Sequence, residues 1–225
     1  MVWLSLAHRC LKYDQVVWTI IWLREAKLGA SFARAYLLVD WHNAREYVAP
    51  TFGKDPRREL PDILLRIQQQ AAAVLSSFDA ARRFRVTMRI YHGWHNGRDP
   101  MPIRRDFEQF ENDVELARTF SKVSFAKGFE FGNEPLYFDS SHPIYATKRP
   151  QGQKMVDTSI VCDLLEVLRT DTAQIVIVLS DDDDFIPAAL MAYSWKKNGL
   201  LLRRPGSGIK DVTDIDEKSF VRYWS

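Results

Sequence analysis

An apolar run, QIVIVLS (Gln174–Ser180), stops at four consecutive aspartates, Asp181 to Asp184. A turn needs one such residue. Four side by side repel one another, and ionised carboxylates held out of water are costly unless they are paired or bind a metal. Two further segments carry acids in comparable places. LLVD ends on Asp40 with Asn43 shortly after it, and KMVDTSIVCDLLEVL holds Lys154, Asp157 and Asp163. At about 100° per residue on a helix, Asp163 shares a stripe with Val156, Ile160 and Val167. Asp157 shares the neighbouring stripe with Val161, Leu164 and Leu168, which leaves Ser159, Cys162, Glu166 and Arg169 as the polar face. Both acids are therefore expected on or beside the face that packs inward. Several oxygens gathered in this way suit a hard divalent cation such as Mg2+ or Mn2+. Such an ion can activate water and stabilise a phosphoryl transition state. Ordinary roles compete: Asp183 or Asp184 as a helix N-cap, a strand-end aspartate as turn chemistry, Asp157 beside a helix dipole. None of these explains three segments delivering acids to one place.

The elements that must hold these acids alternate in type. ARAYLLVD (Ala33–Asp40), FRVTMRIYH (Phe84–His92), KVSFAKGFEF (Lys122–Phe131), QIVIVLS and GLLLRR (Gly199–Arg204) read as strands. LPDILLRIQQQAAAVLSSF (Leu60–Phe78), IRRDFEQFENDVELARTF (Ile103–Phe120), MVDTSIVCDLLEVLRT (Met155–Thr170) and DFIPAALMAYSWKKNG (Asp184–Gly199) read as helices, the last closed by Gly199. This alternation predicts an α/β fold, a three-layer α/β/α sandwich around a mainly parallel central sheet. Right-handed connections bring Asp40 and Asp181–Asp184 to the same edge. That edge, outside the carboxyl ends of the strands, is where such sheets bind ligands.

Composition narrows the classes. With 225 residues, 46% apolar and 27% charged, the chain suits one substantial core of a soluble globular protein. Its 31 basic and 29 acidic side chains nearly cancel, so bulk charge nominates no partner. Cys10 and Cys162 are the only cysteines, which excludes a disulfide framework and a cysteine zinc site and fits a cytoplasmic setting. QVVWTIIWL (Gln15–Leu23) is far shorter than the roughly 20 residues needed to cross a bilayer. Arg24, Glu25 and Lys27 interrupt the approach to any signal-peptide cleavage site, so residues 1–32 are expected to form an N-terminal helical extension serving oligomerisation or a protein partner. Arg98, Arg104 and Arg105, then Lys148, Arg149 and Lys154, then Arg203 and Arg204 follow or precede the same edge, where they could receive the phosphates of a polyanion. Tyr91, His92, Trp94 and His95 fall in that rim, where rings could stack unpaired bases. His92 and His95 have zinc-like spacing but no third ligand cluster. Neither a phosphate-binding glycine loop nor a Ser/His/Asp triad can be assembled.

LLVDWHNA, KMVDTSIVCDLL and IVIVLSDDDDF resemble the three acidic motifs of NYN domains, a branch of the PIN-like ribonuclease superfamily. The family pattern is strand, Asp, two residues, Asn; then Lys-x-x-Asp with a second Asp six residues on; then strand, Ser-x-Asp-x-Asp-Phe. It falls on Asp40 and Asn43, on Lys154, Asp157 and Asp163, and on Ser180, Asp182, Asp184 and Phe185, and it covers about Ala33 to Arg204. The resemblance implies a PIN-like domain over 33–225 and metal-dependent endonucleolytic hydrolysis of single-stranded or structured RNA, with Mg2+ or Mn2+ as cofactor. It assigns the metal to Asp40, Asp157 and Asp182, with Asp184 and Asp163 supporting. Asn43 would orient Asp40 or bind substrate, and Lys154 would contact a phosphate or balance the acids. Trp41 and His42 stand where small residues are usual, and Asp181 stands where the family has Gly. Two alternatives remain: a non-catalytic RNA-binding module, and an Asp-x-Asp glycosyltransferase that leaves Asp40 and Asp157 without a shared purpose. A haloacid-dehalogenase-type phosphatase needs an acid at position 42, which is His.

Overall fold

The computed structural model describes residues 32–48, 56–113, 116–132, 136, 147–149, 152–207 and 219–224, with the side chains of 46–48, 56–59, 111–113, 147–149 and 152–154 outside the description. The chain divides into two units, Met1–Phe32 and Ala33–Ser225. The helical extension expected over 1–32 lies outside the described residues apart from Phe32. No described helix is long and apolar enough to cross a membrane.

The second unit takes in β1 (Phe32–Asp40) from Ala33 onward, then α1 (Trp41–Val48), α2 (Pro56–Phe78) and β2 (Arg83–Tyr91). Short strands β3 (His95–Asn96) and β4 (Asp99–Pro100) precede α3 (Pro102–Asp113), β5 (Thr119–Phe120), β6 (Val123–Phe125) and β7 (Glu130–Phe131). Then come β8 (Thr147–Arg149), β9 (Gly152–Lys154), α4 (Val156–Arg169) and β10 (Ile175–Leu179). A 3-10 turn (Asp183–Phe185), α5 (Ile186–Ser194), β11 (Asn198–Arg203) and β12 (Val221–Tyr223) complete it. The main sheet runs β12-β11-β10-β1-β2-β6-β5, with β7 also on β2. β10 is parallel to β1 and β11, β11 to β12, and β2 to β6 and β7, while β5 and β6 are antiparallel. The fold is thus α/β around a mixed, mainly parallel sheet.

Side-chain alternation divides the core between the two faces of this sheet. Leu37, Val39, Ile175, Ile177 and Leu179 join Leu64 and Ile67 of α2 and Phe107 of α3. Leu38, Val176 and Val178 join Ile160, Leu164 and Val167 of α4 and Ala189 and Ala192 of α5. Every residue of IVIVL is buried, as a central strand covered on both faces requires. Helices against each face are compatible with a three-layer sandwich.

Four expectations need correction. The helix expected to Phe120 ends at Asp113, because the Leu116 carbonyl accepts from Gln68 Nε2 at 3.0 Å and Thr119–Phe120 turns back to pair with β6. The strand expected over Lys122–Phe131 is two, β6 and β7, which meet β2 separately. Gly199 does not close α5. Lys196, at φ 59, makes that turn, and Gly199 lies in β11 where an added Cβ would stand 3.0 Å from the Ala192 Cβ, so the missing side chain lets α5 pack closely. Beyond GLLLRR, the last strand read from the sequence, the chain adds another, β12, parallel to β11. A second, small sheet, β4-β3-β8-β9, was not foreseen.

Candidate metal centre

Strand register builds the site. β1 and β10 pair up to Val39 opposite Leu179, so Asp40 and Ser180 stand side by side one residue further on. Asp40 is 3% exposed. Its Oδ1 accepts from the backbone N–H of His42 (3.1 Å) and Asn43 (3.4 Å), the hydrogen bonds of an N-cap to α1. Its Oδ2 accepts from Asn43 Nδ2 (2.5 Å) and Ser180 Oγ (2.9 Å). Ser180 Oγ in turn accepts from Asn43 Nδ2 (3.0 Å) and the Asp182 N–H (3.2 Å), so one hydroxyl joins two strand ends to the aspartate run. Trp41 is 4% exposed and packs edge-on to Phe107 at 4.8 Å. It belongs to the core, and His42 is exposed.

The four aspartates separate alternately. β10 and β11 pair up to Leu179 opposite Leu202, which brings Arg203 and Arg204 alongside. The Asp181 carboxylate accepts from the Arg204 N–H (2.8 Å) and Ser207 Oγ (3.0 Å) and is ion-paired with Arg204 Nε. Asp183 is ion-paired with Arg203 at 2.7 Å, and the same guanidinium donates to the Asp181 carbonyl at 2.6 Å. Asp182 instead caps the 3-10 turn by accepting from the Asp184 N–H at 2.9 Å. Asp182 and Asp184 meet Asp157, in the first turn of α4, with one oxygen from each lying within 4.8 Å of the others. Like charges at that distance repel by about 1 kcal/mol in water and ~3 kcal/mol at an effective dielectric of 20.

The Asp157 carboxyl is pushed up from 3.8 to about 6, first by the protein around it and then by Asp40, Asp182 and Asp184, with His42 opposing. Asp157, expected on or beside the face that packs inward, is nonetheless an exposed residue. Ser159, expected on the polar face, is buried and donates to the Met155 carbonyl at 2.6 Å.

Other expected site residues go elsewhere. Asp163 is absent from the carboxylate group, since six residues along α4 place it on another side of the helix. It is fully buried, accepts from Tyr91 Oη (2.5 Å) and the Leu136 N–H (2.6 Å), and is ion-paired with Arg89 Nε at 3.0 Å. Burial pushes its carboxyl up against the pull of Tyr91 and Arg89, and burial followed by Asp163 drives the Tyr91 phenol well above its usual range. Gly132 lies flat on the Tyr91 ring, where a Cβ would stand 2.2 Å from Cδ1, so only glycine leaves that ring its position.

Arg203, expected to receive phosphate, is 2% exposed and committed to the aspartate run. Arg104 is ion-paired with Glu108 at 2.8 Å and lies over the Phe131 ring at 4.7 Å. Arg98 is exposed in the β3–β4 turn. Lys148 and Arg149 fall on β8 and Lys154 on β9, with side chains outside the described residues. Tyr91, Trp94 and His95 are buried, and Trp94 packs edge-on to Phe107 (5.3 Å) and Phe131 (5.0 Å), so these rings form core rather than a stacking surface. His95 is lowered by burial and then by Arg104. Sequence reasoning missed Arg89, whose signal was a cation in the middle of an apolar strand, and the bridging role of Ser180.

The donor set fits a hard dication, because three carboxylates converge with no ion-pair partner among the described residues. Asp40 lies beside this group with its oxygens already filled by protein donors. Compared with known proteins, the chain matches no family model, no curated protein and no solved structure.

Proposed function

We propose that the chain is a metal-dependent endoribonuclease of the PIN-like NYN type, hydrolysing RNA phosphodiester bonds at the carboxyl edge of its sheet. The observation that carries this reading is the convergence of Asp157, Asp182 and Asp184 from two separate segments, with Asp40 fixed beside them. Asp157, Asp182 and Asp184 would hold Mg2+ or Mn2+. When bound, the ion supplies Lewis acidity that activates water for attack on phosphorus and offsets the charge that develops there. The chain's own residues set the stage. Ser180 and Asn43 fix the Asp40 carboxylate, whose negative charge stays close enough to be felt at Asp157. Asp40 is thereby a charge behind the ligand group rather than one of its members, and Asp184 takes the place the motif pattern gave it. Asp163 holds α4 to β2.

Incubating the full chain with labelled RNA, with and without Mn2+, beside an Asp182→Asn variant tests the reading. Internal cleavage by the wild type with Mn2+ alone, lost in the variant, is expected. Equal cleavage by both proteins overturns the site. RNA binding without cleavage shifts the assignment to a regulatory RNA-binding module, and turnover of a nucleotide sugar to a transferase.

A further inference from the structure

We propose that Arg203 and Arg204 are positioning residues that sort the aspartate run, holding Asp183 and Asp181 on the β11 side so that Asp182 and Asp184 face Asp157. The inference rests on the metal reading of that site and adds to it the device that selects its ligands. Four adjacent carboxylates have no intrinsic reason to choose sides, because each repels its neighbours alike. Two cations on one side break that symmetry. They arrive in register: with Leu179 opposite Leu202, the next residues of β11 are Arg203 and Arg204.

Their contacts are specific in a way that surface arginines are not. Arg203, 2% exposed, spans Asp183 at 2.7 Å and the Asp181 carbonyl at 2.6 Å, so it grips the run at two points. Arg204 meets Asp181 with both its backbone N–H and its guanidinium, and Ser207 Oγ adds a donor to the same oxygen, Oδ1, that the backbone N–H reaches. The Asp181 that stands where the family pattern has Gly is thus an anchor. Its backbone is held where glycine would leave it free.

Charge and position make opposite predictions, which renders the inference testable. If the arginines act only as nearby positive charges, removing one makes the site more negative and tightens a cation. If they position the ligands, removing one loosens it. Mn2+ titration calorimetry on the full chain, with melting measured in metal-free buffer, separates the two. Arg204, whose side chain is 43% exposed, can be changed without emptying the core. Arg204→Gln is expected to weaken Mn2+ binding about 10–100-fold, the usual cost of losing a group that supports a ligand, while metal-free melting shifts little. Arg204→Lys, which keeps charge without the planar fork, is expected to recover only part. Arg203→Lys is expected to weaken binding although the net charge is unchanged. Binding by Arg204→Gln as tight as wild type, or tighter, overturns the proposal. A wild-type chain that binds no Mn2+ overturns the metal reading instead, so the two failures are told apart within one experiment.

Discussion

Asp157 and Asp163 sit on the same helix, six residues apart, and the fold treats them in opposite ways. Asp163 is sealed from solvent with an arginine, a phenol and a backbone N–H aimed at it. Asp157 is exposed, and among the described residues the charges that act on it most are other carboxylates. A buried acid with a full set of donors specifies where a helix sits; it is weak evidence for net stability, yet breaking it is expensive. An exposed acid crowded by its own kind does the reverse. Its repulsion costs the fold stability, and on the proposed metal reading it would supply affinity for a cation. The family resemblance assigns both acids to the metal, and their surroundings assign them to different tasks.

The largest effect tests the sealed end. Arg89→Met leaves Asp163 buried without its cation and is expected to cost about 3–5 kcal/mol in denaturant unfolding. Replacing both partners, Arg89→Met with Asp163→Leu, is expected to recover only part of that loss, since it removes the uncompensated charge but takes the acceptor from the Tyr91 hydroxyl and the Leu136 N–H. A single variant as stable as wild type would erase the distinction. Next comes the crowded end. Asp182→Asn is expected to weaken Mn2+ by about 100-fold or more, beyond the usual loss for a supporting residue. Its metal-free stability should not fall to the degree seen for Arg89→Met, because in it a repulsion is relieved.

Much of this arrangement could be read from the chain. β1 and β10 announce themselves as short apolar runs ending in acids, and their parallel register follows from the fold class, so the meeting of Asp40 with the aspartate run was legible. So was α4, from its apolar spacing. Which acids would converge was not legible. Asp40 reads as a ligand in the sequence, while in the structure its Oδ2 accepts from Ser180 and Asn43, and the partners of Asp163 come from β2 and from Leu136, distant in sequence. Arg203 misled for a related reason: a cation at a strand end reads as solvated, and only the register with β10 shows that an acid is there to bury it. The small sheet escaped notice because strands of two or three residues have no period to detect.

A smaller effect is expected at the joint between the two strand ends. Ser180→Ala removes one of the donors to the buried Asp40 carboxylate, a charged hydrogen bond worth about 1.5–3 kcal/mol. The loss should lie at the low end, about 1.5 kcal/mol, because Asn43 still reaches the same oxygen at 2.5 Å. Thermal melting with and without Mn2+ measures both consequences, and an unchanged metal-free stability would mean the joint contributes nothing.

The smallest effect is the most discriminating, because it changes sign with conditions. With its carboxyl raised from 3.8 to about 6, folded Asp157 holds a proton that the unfolded chain has released over that window. The folded state then binds more protons than the unfolded one, so the contribution of this group to metal-free stability falls as pH rises from about 4 to 6 and stays low above it. Asp157→Asn cannot ionise. It should match the wild type at pH 4 and exceed it at pH 7.5, by about 1 kcal/mol or less once solvent screening at an exposed group is allowed for. Mn2+ should reverse that order at pH 7.5, since ligand at 100 times its Kd stabilises by about 2.7 kcal/mol and the variant has lost one of its holders. Asp163→Asn should show no such crossover: its loss comes from broken buried contacts and persists with or without the metal. If Asp157→Asn were less stable than wild type at pH 7.5 without metal, the carboxylates would not be crowded, and the contrast between the two ends of α4 would collapse.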